Sequence, residues 1–309
     1  MKQEFVDSRK ESILLASNKN MKILKCFFEE SPYYSPFFNK QKGYRYLIEI
    51  NNKEQIETGI YLHYIDNIKK SIAVDVSCMV GCSENCFFCS SKNINYVRNL
   101  TSDEMLEQIL LILDLHPYSD FEDVVISFHG IGESSLMPEK IISVAKSMRE
   151  IIPDCAINIA TTGANPNAFK LWKEAGIKWT HLQVSATDDS VNNLNKMEQL
   201  VQMFDEEKML NYFSQIKFSY VLIKDLNDKE EHLARLISIF SGKDYIIKLS
   251  KLNNPSNKNQ IESSSSEKFE YFITELAKNN VKNYRFGPLI DSEISCGQLV
   301  YLNNNQKEC

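Results

Sequence analysis

The sequence lacks several features that mark membrane, secreted and nucleic-acid-coating proteins. No stretch of eighteen apolar residues occurs among its 309 residues, so we expect neither a transmembrane helix nor a membrane partner. No apolar segment followed by small residues begins the chain, so we expect no secretion signal and a cytoplasmic location. A basic excess is also missing. The net charge is −6, which argues against a large nucleic-acid-binding surface because phosphate contacts need clustered lysine and arginine.

Eight cysteines are present, and their spacing is uneven. Positions 78, 82, 86 and 89 lie within twelve residues, whereas 26, 155, 296 and 309 are scattered. A secreted disulfide scaffold would spread its cysteines along a short chain. A cluster of cysteines in a long chain without a secretion signal indicates metal or redox chemistry in a reducing compartment.

Short apolar runs alternate with longer amphipathic segments through most of the chain. Thr101 and Glu104 form a capping box at the first helix, and Asn227 with Asp228 indicates another helix start. Six strand–helix repeats with buried strands predict a parallel sheet, which right-handed crossovers curl into a barrel or part of one. Functional residues are then expected at the carboxyl ends of the strands. The predicted strands are 72–76, 124–128, 157–161, 179–185, 216–222 and 245–249, and the predicted helices are 101–115, 138–150, 166–175, 192–208, 228–240 and 266–278.

The N-terminal part differs from these repeats. Residues 1–42 show a helical pattern followed by an aromatic stretch, and 44–62 predict two strands joined by a turn at 51–53. We therefore predict an α/β fold, a partial (β/α)6 TIM-like barrel with a small N-terminal β extension. The predicted boundaries are 1–70 for the extension with its β-hairpin, 71–303 for the barrel and 304–309 for a tail.

The loop after the first barrel strand carries Cys82, Cys86 and Cys89 in the spacing C-x3-C-x2-C. Three thiolates can hold three irons of a [4Fe–4S] cluster, which leaves the fourth iron without a protein ligand. That iron could chelate the amino and carboxylate groups of S-adenosylmethionine (SAM), whose reductive cleavage releases a radical. The alternative is a structural zinc site with Cys78 or a distant cysteine as fourth ligand, although zinc sites favour paired C-x2-C units.

Five stretches in order resemble one known family. They are 81–89 followed by Arg98 to Thr101, Gly130 to Glu133, Thr161 to Gly163, Tyr220 to Asp228, and Ser295 to Leu299. Together they resemble the radical SAM superfamily, and more narrowly its RlmN/Cfr family of adenine methyltransferases, from about Tyr46 to Leu299. The resemblance implies a barrel of the radical SAM type, with a [4Fe–4S] cluster and SAM as cofactors.

The resemblance also implies roles for individual positions. Cys296 would accept a methyl group from one SAM, and the radical from a second SAM would remove hydrogen from that group. The resulting carbon radical would add to an electron-poor adenine carbon, usually C2, in RNA, with Glu57 as proton acceptor near the base. The cluster would be bound by Cys82, Cys86 and Cys89, and SAM by Gly132, Glu133, Thr161, Ser185, Thr187 and Asn253.

The sequence departs from the family pattern in four places. Asp75 occupies the position of a second essential cysteine, which pairs with the methyl-carrying cysteine to release the product. Cys78 lies three residues further on, on the opposite face if the strand continues. The compact N-terminal helical domain and the basic C-terminal tail of the family are missing. Ser134 and Ala160 replace a proline and a SAM-binding serine.

These departures leave three functional alternatives. The first is RlmN/Cfr-like methyl transfer through Cys296 to ribosomal or transfer RNA. The second is a radical SAM enzyme of the same fold that acts on a nucleotide, small molecule or peptide with different chemistry. The third is a binding protein without SAM cleavage. For either enzyme we expect a reducing partner such as flavodoxin or ferredoxin, and we expect a monomer.

Overall fold

The computed structural model describes residues 21–87, 89–186, 193–253, 261–288 and 300, with only the backbone of Asn52. The strands in this part of the chain are β1 (Lys22–Tyr34), β2 (Lys40–Ile50), β3 (Glu54–Ile65), β4 (Ile68–Asp75), β5 (Met79–Val80), β6 (Arg98–Asn99), β7 (Asp123–Phe128), β8 (Ala156–Thr161), β9 (Trp179–Val184), β10 (Phe213–Leu222), β11 (Ile246–Lys251) and β12 (Lys282–Pro288). The helices are α1 (Ser102–Leu115), α2 (Pro138–Ile151), α3 (Asn167–Glu174), α4 (Leu194–Glu206), α5 (Glu230–Phe240) and α6 (Ser266–Lys278). None of the helices in the described ranges is long and apolar enough to cross a membrane.

Ten of the described strands form one closed barrel. Its strand order is β1, β12, β11, β10, β9, β8, β7, β4, β3, β2 and back to β1. The strands from β4 through β12 in this barrel run parallel, as the strand–helix alternation predicts. The first three strands pair antiparallel and fill the gap between β4 and β12. The predicted α/β barrel is therefore confirmed, and its N-terminal β extension is part of the barrel wall.

The six predicted strands are confirmed as β4 and β7 to β11, and the six predicted helices as α1 to α6. Four described strands are not foreseen: β1, β12 and the two-residue strands β5 and β6. The helical pattern expected before the aromatic stretch is wrong for residues 22–30, which belong to β1. This strand pairs with β2 along most of its length, and Tyr33 is in register with Pro288 of β12. Pairing with neighbouring strands outweighs local propensity here, as it commonly does in sheets.

The two helix-start predictions have different outcomes. The capping box is confirmed, because the Thr101 hydroxyl accepts from Glu104 N at 3.1 Å and the Glu104 carboxylate accepts from Thr101 N at 2.8 Å. The second prediction is wrong, because Lys229 is the residue that precedes α5. Asn227 instead bonds back to β10, accepting from Ile223 N at 2.7 Å and donating to Val221 O at 2.7 Å.

The two faces of the barrel strands differ in polarity. Along β4, Ile72 and Val74 are fully buried in the main apolar core, which includes residues of the surrounding helices. Ala73 and Asp75 alternate with them and line the barrel interior. Successive strand residues point to opposite faces, so each strand contributes apolar residues outward and a second set inward.

A buried hydrogen-bond network connects α1 to the end of β4. The Gln108 carboxamide oxygen accepts from Thr58 Oγ1 at 2.9 Å and Ser77 N at 3.2 Å, and its nitrogen donates to Ser77 O at 3.1 Å. Ser77 Oγ donates to Glu57 O at 2.5 Å and accepts from Ile131 N at 2.9 Å. We call these contacts the Ser77 network. They join α1, β3 and the loop after β7 to Ser77, just after the end of β4.

The Ser77 network yields a stability prediction. Gln108→Ala leaves the buried Ser77 backbone groups without their partners, so we expect the free energy of unfolding to fall by about 2–3 kcal/mol. Urea unfolding of the metal-free protein measures this change. Gln202→Ala, at an exposed position of α4, is the matched control and should change the free energy by less than about 0.5 kcal/mol. Equal effects of the two variants would contradict the structural importance of the network.

Candidate active site at the carboxyl ends of the strands

The cysteine loop leaves β4 and is closed at its base by a short ribbon. Met79 pairs with Asn99 and Val80 with Arg98, so the chain between them projects as one loop. Gly81 begins this loop with φ at +72°, and a Cβ there would lie 2.0 Å from the Asn95 carbonyl oxygen. Only glycine fits such a position without a shift of the backbone.

The three cysteines of this loop lie close together. Cys89 N donates to Cys86 O at 3.1 Å, and all three side chains are half-buried and free of disulfides. Burial raises the pKa of the Cys82 thiol to about 12, and the nearby Cys89, Cys86 and Glu133 add to this rise. Cys82 is therefore partly desolvated and within electrostatic range of Cys86 and Cys89.

This sulfur set fits a [4Fe–4S] cluster better than a single zinc ion. A cluster takes one thiolate for each bound iron, so its ligands need not converge on one point. Within the described ranges, no group of three or more His, Cys, Asp or Glu side chains converges on a site for one ion. Cys78, the candidate fourth zinc ligand, is 2% exposed and packs in the main apolar core.

The glycine-rich segment after β7 lies directly against the cysteine loop. Gly132 has φ at +118°, and a Cβ there would lie 2.7 Å from Cys78 Sγ and 2.8 Å from Met79 Cγ. Cys78 N also donates to Ile131 O at 2.9 Å. A larger residue at position 132 would force the two loops apart.

Glu133 is a buried carboxylate at the centre of this region. It is 2% exposed and accepts hydrogen bonds from Thr161 Oγ1, from Thr162 N at 2.7 Å and from Ser135 N at 2.9 Å. The donors hold the carboxylate in one position at the end of β8. Charge-assisted hydrogen bonds of this kind suit recognition of an amino group, such as that of SAM.

The remaining predicted SAM contacts fall on neighbouring strand ends. Ser185 follows β9, and its backbone N donates to Thr161 O at 2.8 Å. Asn253 follows β11 and lines the barrel interior. The structure thus brings Glu133, Thr161 and Ser185 together at one end of the barrel. Thr187 and Cys296 lie outside the described residues.

Glu57 lies on the inward face of β3, next to the same end of the barrel. It is fully buried, and its Oε1 accepts from Val300 N at 2.7 Å. Val300 belongs to a small apolar cluster with Leu47 and Ile131, and Cys82 packs against that cluster. The glutamate is therefore close to the cysteine loop and to the chain that follows Cys296.

Asp75 points into the barrel, because β4 ends there with its side chain facing inward. Its Oδ2 lies 3.6 Å from an Arg45 guanidinium nitrogen. Burial raises the pKa of Asp75 to about 6, although the Arg45 and Lys248 charges and a hydrogen bond from Ser127 oppose that rise. Asp75 is thus part of an ion pair inside the barrel.

Several inward residues are not among the predicted site residues. They are Arg45, His129, His181, Gln183, Lys217 and Lys248, which lie on the barrel wall. In the sequence, such inward residues can be recognised as polar residues at alternate positions of an otherwise apolar strand. That signal identifies the inward face only after the strand limits are known.

Comparison with known proteins identifies the family. A sequence profile of the Radical SAM superfamily matches residues 76–237, which is just over half of the chain. The chain belongs to the radical SAM superfamily. It is a radical SAM enzyme that uses a [4Fe–4S] cluster and SAM, and the cysteine loop and Glu133 lie within the matched residues.

Curated relatives and a solved structure extend this similarity. The chain is 30% identical over 237 residues to a dual-specificity RNA methyltransferase RlmN of Helicobacter pylori, covering 73% of this chain and 66% of that relative. It is 27% identical to a probable dual-specificity RNA methyltransferase RlmN of Dictyoglomus thermophilum, covering 94% and 85%. It is 26% identical to a ribosomal RNA large subunit methyltransferase Cfr of Clostridium botulinum, covering 87% and 80%.

A radical SAM methyltransferase from Sphaerobacter thermophilus shares the fold. The TM-score is 0.65 at 21% identity, over 83% of this chain and 76% of that one. This likeness supports the barrel architecture.

The cluster assignment predicts the effect of losing one ligand. Cys86→Ala leaves two thiolates for three irons, so we expect the anaerobically purified protein to lose most of its iron and its cluster absorbance. Cys26→Ser is the matched control, because Cys26 is an exposed cysteine on β1. That variant should keep the iron content of the unmodified protein. Full iron content in Cys86→Ala would contradict the assignment.

Proposed function

We propose that this radical SAM enzyme is an RlmN/Cfr-like methyltransferase, in which Cys296 carries a SAM-derived methyl group to an adenine carbon, of the C2 type, in RNA. The named relatives are RNA methyltransferases, and they align with most of the chain. Ribosomal or transfer RNA is the proposed acceptor on that basis.

The contact between Glu57 and Val300 is the observation that carries this proposal. Val300 lies four residues after Cys296, so the covalent chain limits the separation of the two Cα atoms to about 14 Å. Val300 also belongs to the apolar cluster against which Cys82 packs. Val300, the first described residue after Cys296, therefore contacts Glu57 and shares an apolar cluster with Cys82.

The proposed roles follow from this arrangement. Bound SAM and the reduced cluster supply a 5′-deoxyadenosyl radical that can remove a hydrogen atom. The Cys296 thiolate attacks the methyl carbon of one SAM, so that a sulfur–carbon bond forms and S-adenosylhomocysteine leaves. Glu57, on the inward face of β3, accepts the proton that the adenine carbon loses. Glu133 holds the amino group of SAM, with Thr161, Ser185, Thr187 and Asn253 as further contacts.

Product release differs from the step that the family resemblance implies. Asp75 can accept a proton, but a carboxylate cannot form a disulfide with Cys296. Cys78 cannot take over without a rearrangement, because its side chain packs in the core against Gly132 and Met79. Among the described residues, neither position therefore offers a resolving thiol to the barrel interior.

A second candidate function has one specific observation in its favour. The barrel is closed by β1 pairing with β12, and its interior contains a cavity of about 570 Å³. Such a chamber fits a nucleotide, another small molecule or the tip of a peptide. A radical SAM enzyme with different chemistry on such a substrate is therefore the alternative.

The partners complete the proposal. The cluster needs an electron for each SAM cleavage, so a reducing protein such as flavodoxin or ferredoxin is the proposed donor. We propose that the chain works as a monomer in the cytoplasm and without a membrane partner.

Mass spectrometry tests the methyl-carrier role. We expect the peptide with Cys296 to carry one added methyl group in protein purified from cells. Cys296→Ala should abolish methylation of RNA adenine, whereas the exposed-cysteine control Cys26→Ser should retain it. An unmodified Cys296 in every molecule would overturn the proposal.

Deuterium transfer separates the two candidates. If Cys296 carries the methyl group, deuterium from [methyl-²H₃]SAM should appear in 5′-deoxyadenosine. If the alternative holds, deuterium should instead enter 5′-deoxyadenosine from the substrate, and Cys296→Ala should remain active.

A further inference from the structure

The barrel interior contains a cavity of about 570 Å³ below the predicted SAM contacts. Asn253 lines its upper part, after the end of β11, and Ser71 lines it near the start of the parallel strands. The cavity therefore extends along the strands rather than forming a shallow cleft. Its volume is typical of sites for small molecules.

Aromatic side chains from the N-terminal strands and β12 form one wall of this cavity. The Phe38 ring stacks on the His63 ring with centroids 3.9 Å apart, and it packs edge-on against Phe286. Tyr33 of β1 also meets Phe286 edge-on, at 5.1 Å. These contacts close the side of the cavity between β12 and the N-terminal strands.

Two lysines face this cavity from adjacent strands. Lys217 on β10 has its Nζ 3.4 Å from His181 Nδ1, and Lys248 on β11 donates to Gln183 Oε1 at 2.7 Å. The Lys248 ammonium also lies 4.0 Å from the centre of the Phe286 ring. In the described part of the chain, the observed partners of both lysines are neutral groups, and neither lysine has a carboxylate within ion-pair distance.

Three basic side chains, Arg45, Lys217 and Lys248, share one part of the wall with the Asp75 carboxylate. Arg45 already faces Asp75, in space that Gly59 leaves open because a Cβ there would lie 3.0 Å from the guanidinium carbon. Of the other lining carboxylates, Glu122 and Asp123 lie at the opposite mouth, where Glu122 pairs with Lys70 at 2.6 Å, and Glu29 lies on β1 in register with Gly43.

An orphaned acceptor lies in the same wall. Asn158 Oδ1 is buried and has no hydrogen-bond partner among the described residues. Asn158 lines the cavity and is in register with His181. Buried polar atoms normally have partners, so this oxygen is suited to accept a hydrogen bond from a ligand.

We infer that the barrel interior binds a small molecule with an anionic group, a carboxylate or a phosphate, held by Lys217 and Lys248, with Asn158 accepting a second polar contact. The anion would pair with two lysines whose observed partners are neutral groups. Burying a charge is costly unless it is paired. The inference does not depend on the route of the methyl group, because it concerns binding alone.

The pKa values of the wall groups agree with this assignment. Burial lowers the pKa of Lys217 to about 8, and burial together with the Lys217 charge lowers that of Lys248 to about 7. A bound anion would raise both values, since it favours the charged ammonium.

Calorimetry on the reconstituted enzyme with its cluster and SAM tests the inference. The phosphate arm compares adenosine 5′-monophosphate with neutral adenosine, and the carboxylate arm compares glutarate with neutral 1,5-pentanediol. We expect saturable binding of at least one anionic probe, with its neutral counterpart at least tenfold weaker. The arm that responds identifies the anionic group.

Variants of the wall locate the binding site. Lys248→Met and Lys217→Met should each weaken the anionic probe at least tenfold, and Asn158→Asp should weaken it further by adding a negative charge. Lys224→Met is the matched control, because Lys224 is exposed and pairs with Glu262 at the surface. It should leave the affinity unchanged. Iron content and SAM binding confirm that each variant is folded.

The affinity should also depend on pH. Protonated lysines bind the anion, so the affinity should be highest below about pH 7 and fall towards pH 9, by up to about tenfold per unit for each lysine. The histidines that face Lys248, His129 and His181, have pKa values lowered to about 3 by burial, and Asp75 titrates near 6. Burial raises the pKa of Tyr284 above this window. The lysines therefore account for the change, and Lys248→Met should reduce its slope.

Three results would overturn the inference. The first is the absence of saturable binding by either anionic probe. The second is an affinity that neither lysine variant nor Asn158→Asp changes. The third is binding of an RNA oligonucleotide that both lysine variants weaken while both small anions fail to compete, because the lysines would then contact RNA phosphates.

Discussion

The Ser77 network is the constraint on which the active site depends. One hydroxyl donates to the backbone of Glu57 and accepts from Ile131, and Gln108 holds the backbone on either side of it. The cysteine loop, the glycine-rich loop and the inward glutamate thus start from one buried point. Because each polar group in it is paired, the network costs little to bury and fixes the three segments relative to one another.

The sequence predicts the parts of this site that depend on local pattern. Strand and helix periodicity locates β4 and β7 to β11, and the rule that strand ends converge predicts that Glu133 and Thr161 meet. The closure of the barrel could not be predicted, because it rests on Tyr33 pairing with Pro288 across most of the chain. The local sequence around β1 does not indicate that it pairs with β12. The residues before its aromatic end fit a helix as well as a strand.

The meaning of Asp75 changes once its surroundings are known. In the sequence, Asp75 replaces the cysteine that the family resemblance implies for product release, so that step lacks its thiol. In the structure it pairs with Arg45, and Lys248 lies near enough to lower its pKa. Asp75 therefore belongs to a set of charged residues on the barrel wall.

The energetic cost of burying charged residues in the barrel interior indicates that they serve a function. Apolar side chains of similar volume in place of buried charges are often neutral or stabilising, so folding alone does not favour buried lysines without a carboxylate partner. The outward face of the same strands shows that this chain packs apolar residues tightly where stability is the requirement. A polar interior with two buried lysines inside a well-packed shell costs stability, and such a cost is typical of a site kept for a ligand. The closed barrel then limits that ligand to a molecule that fits within it.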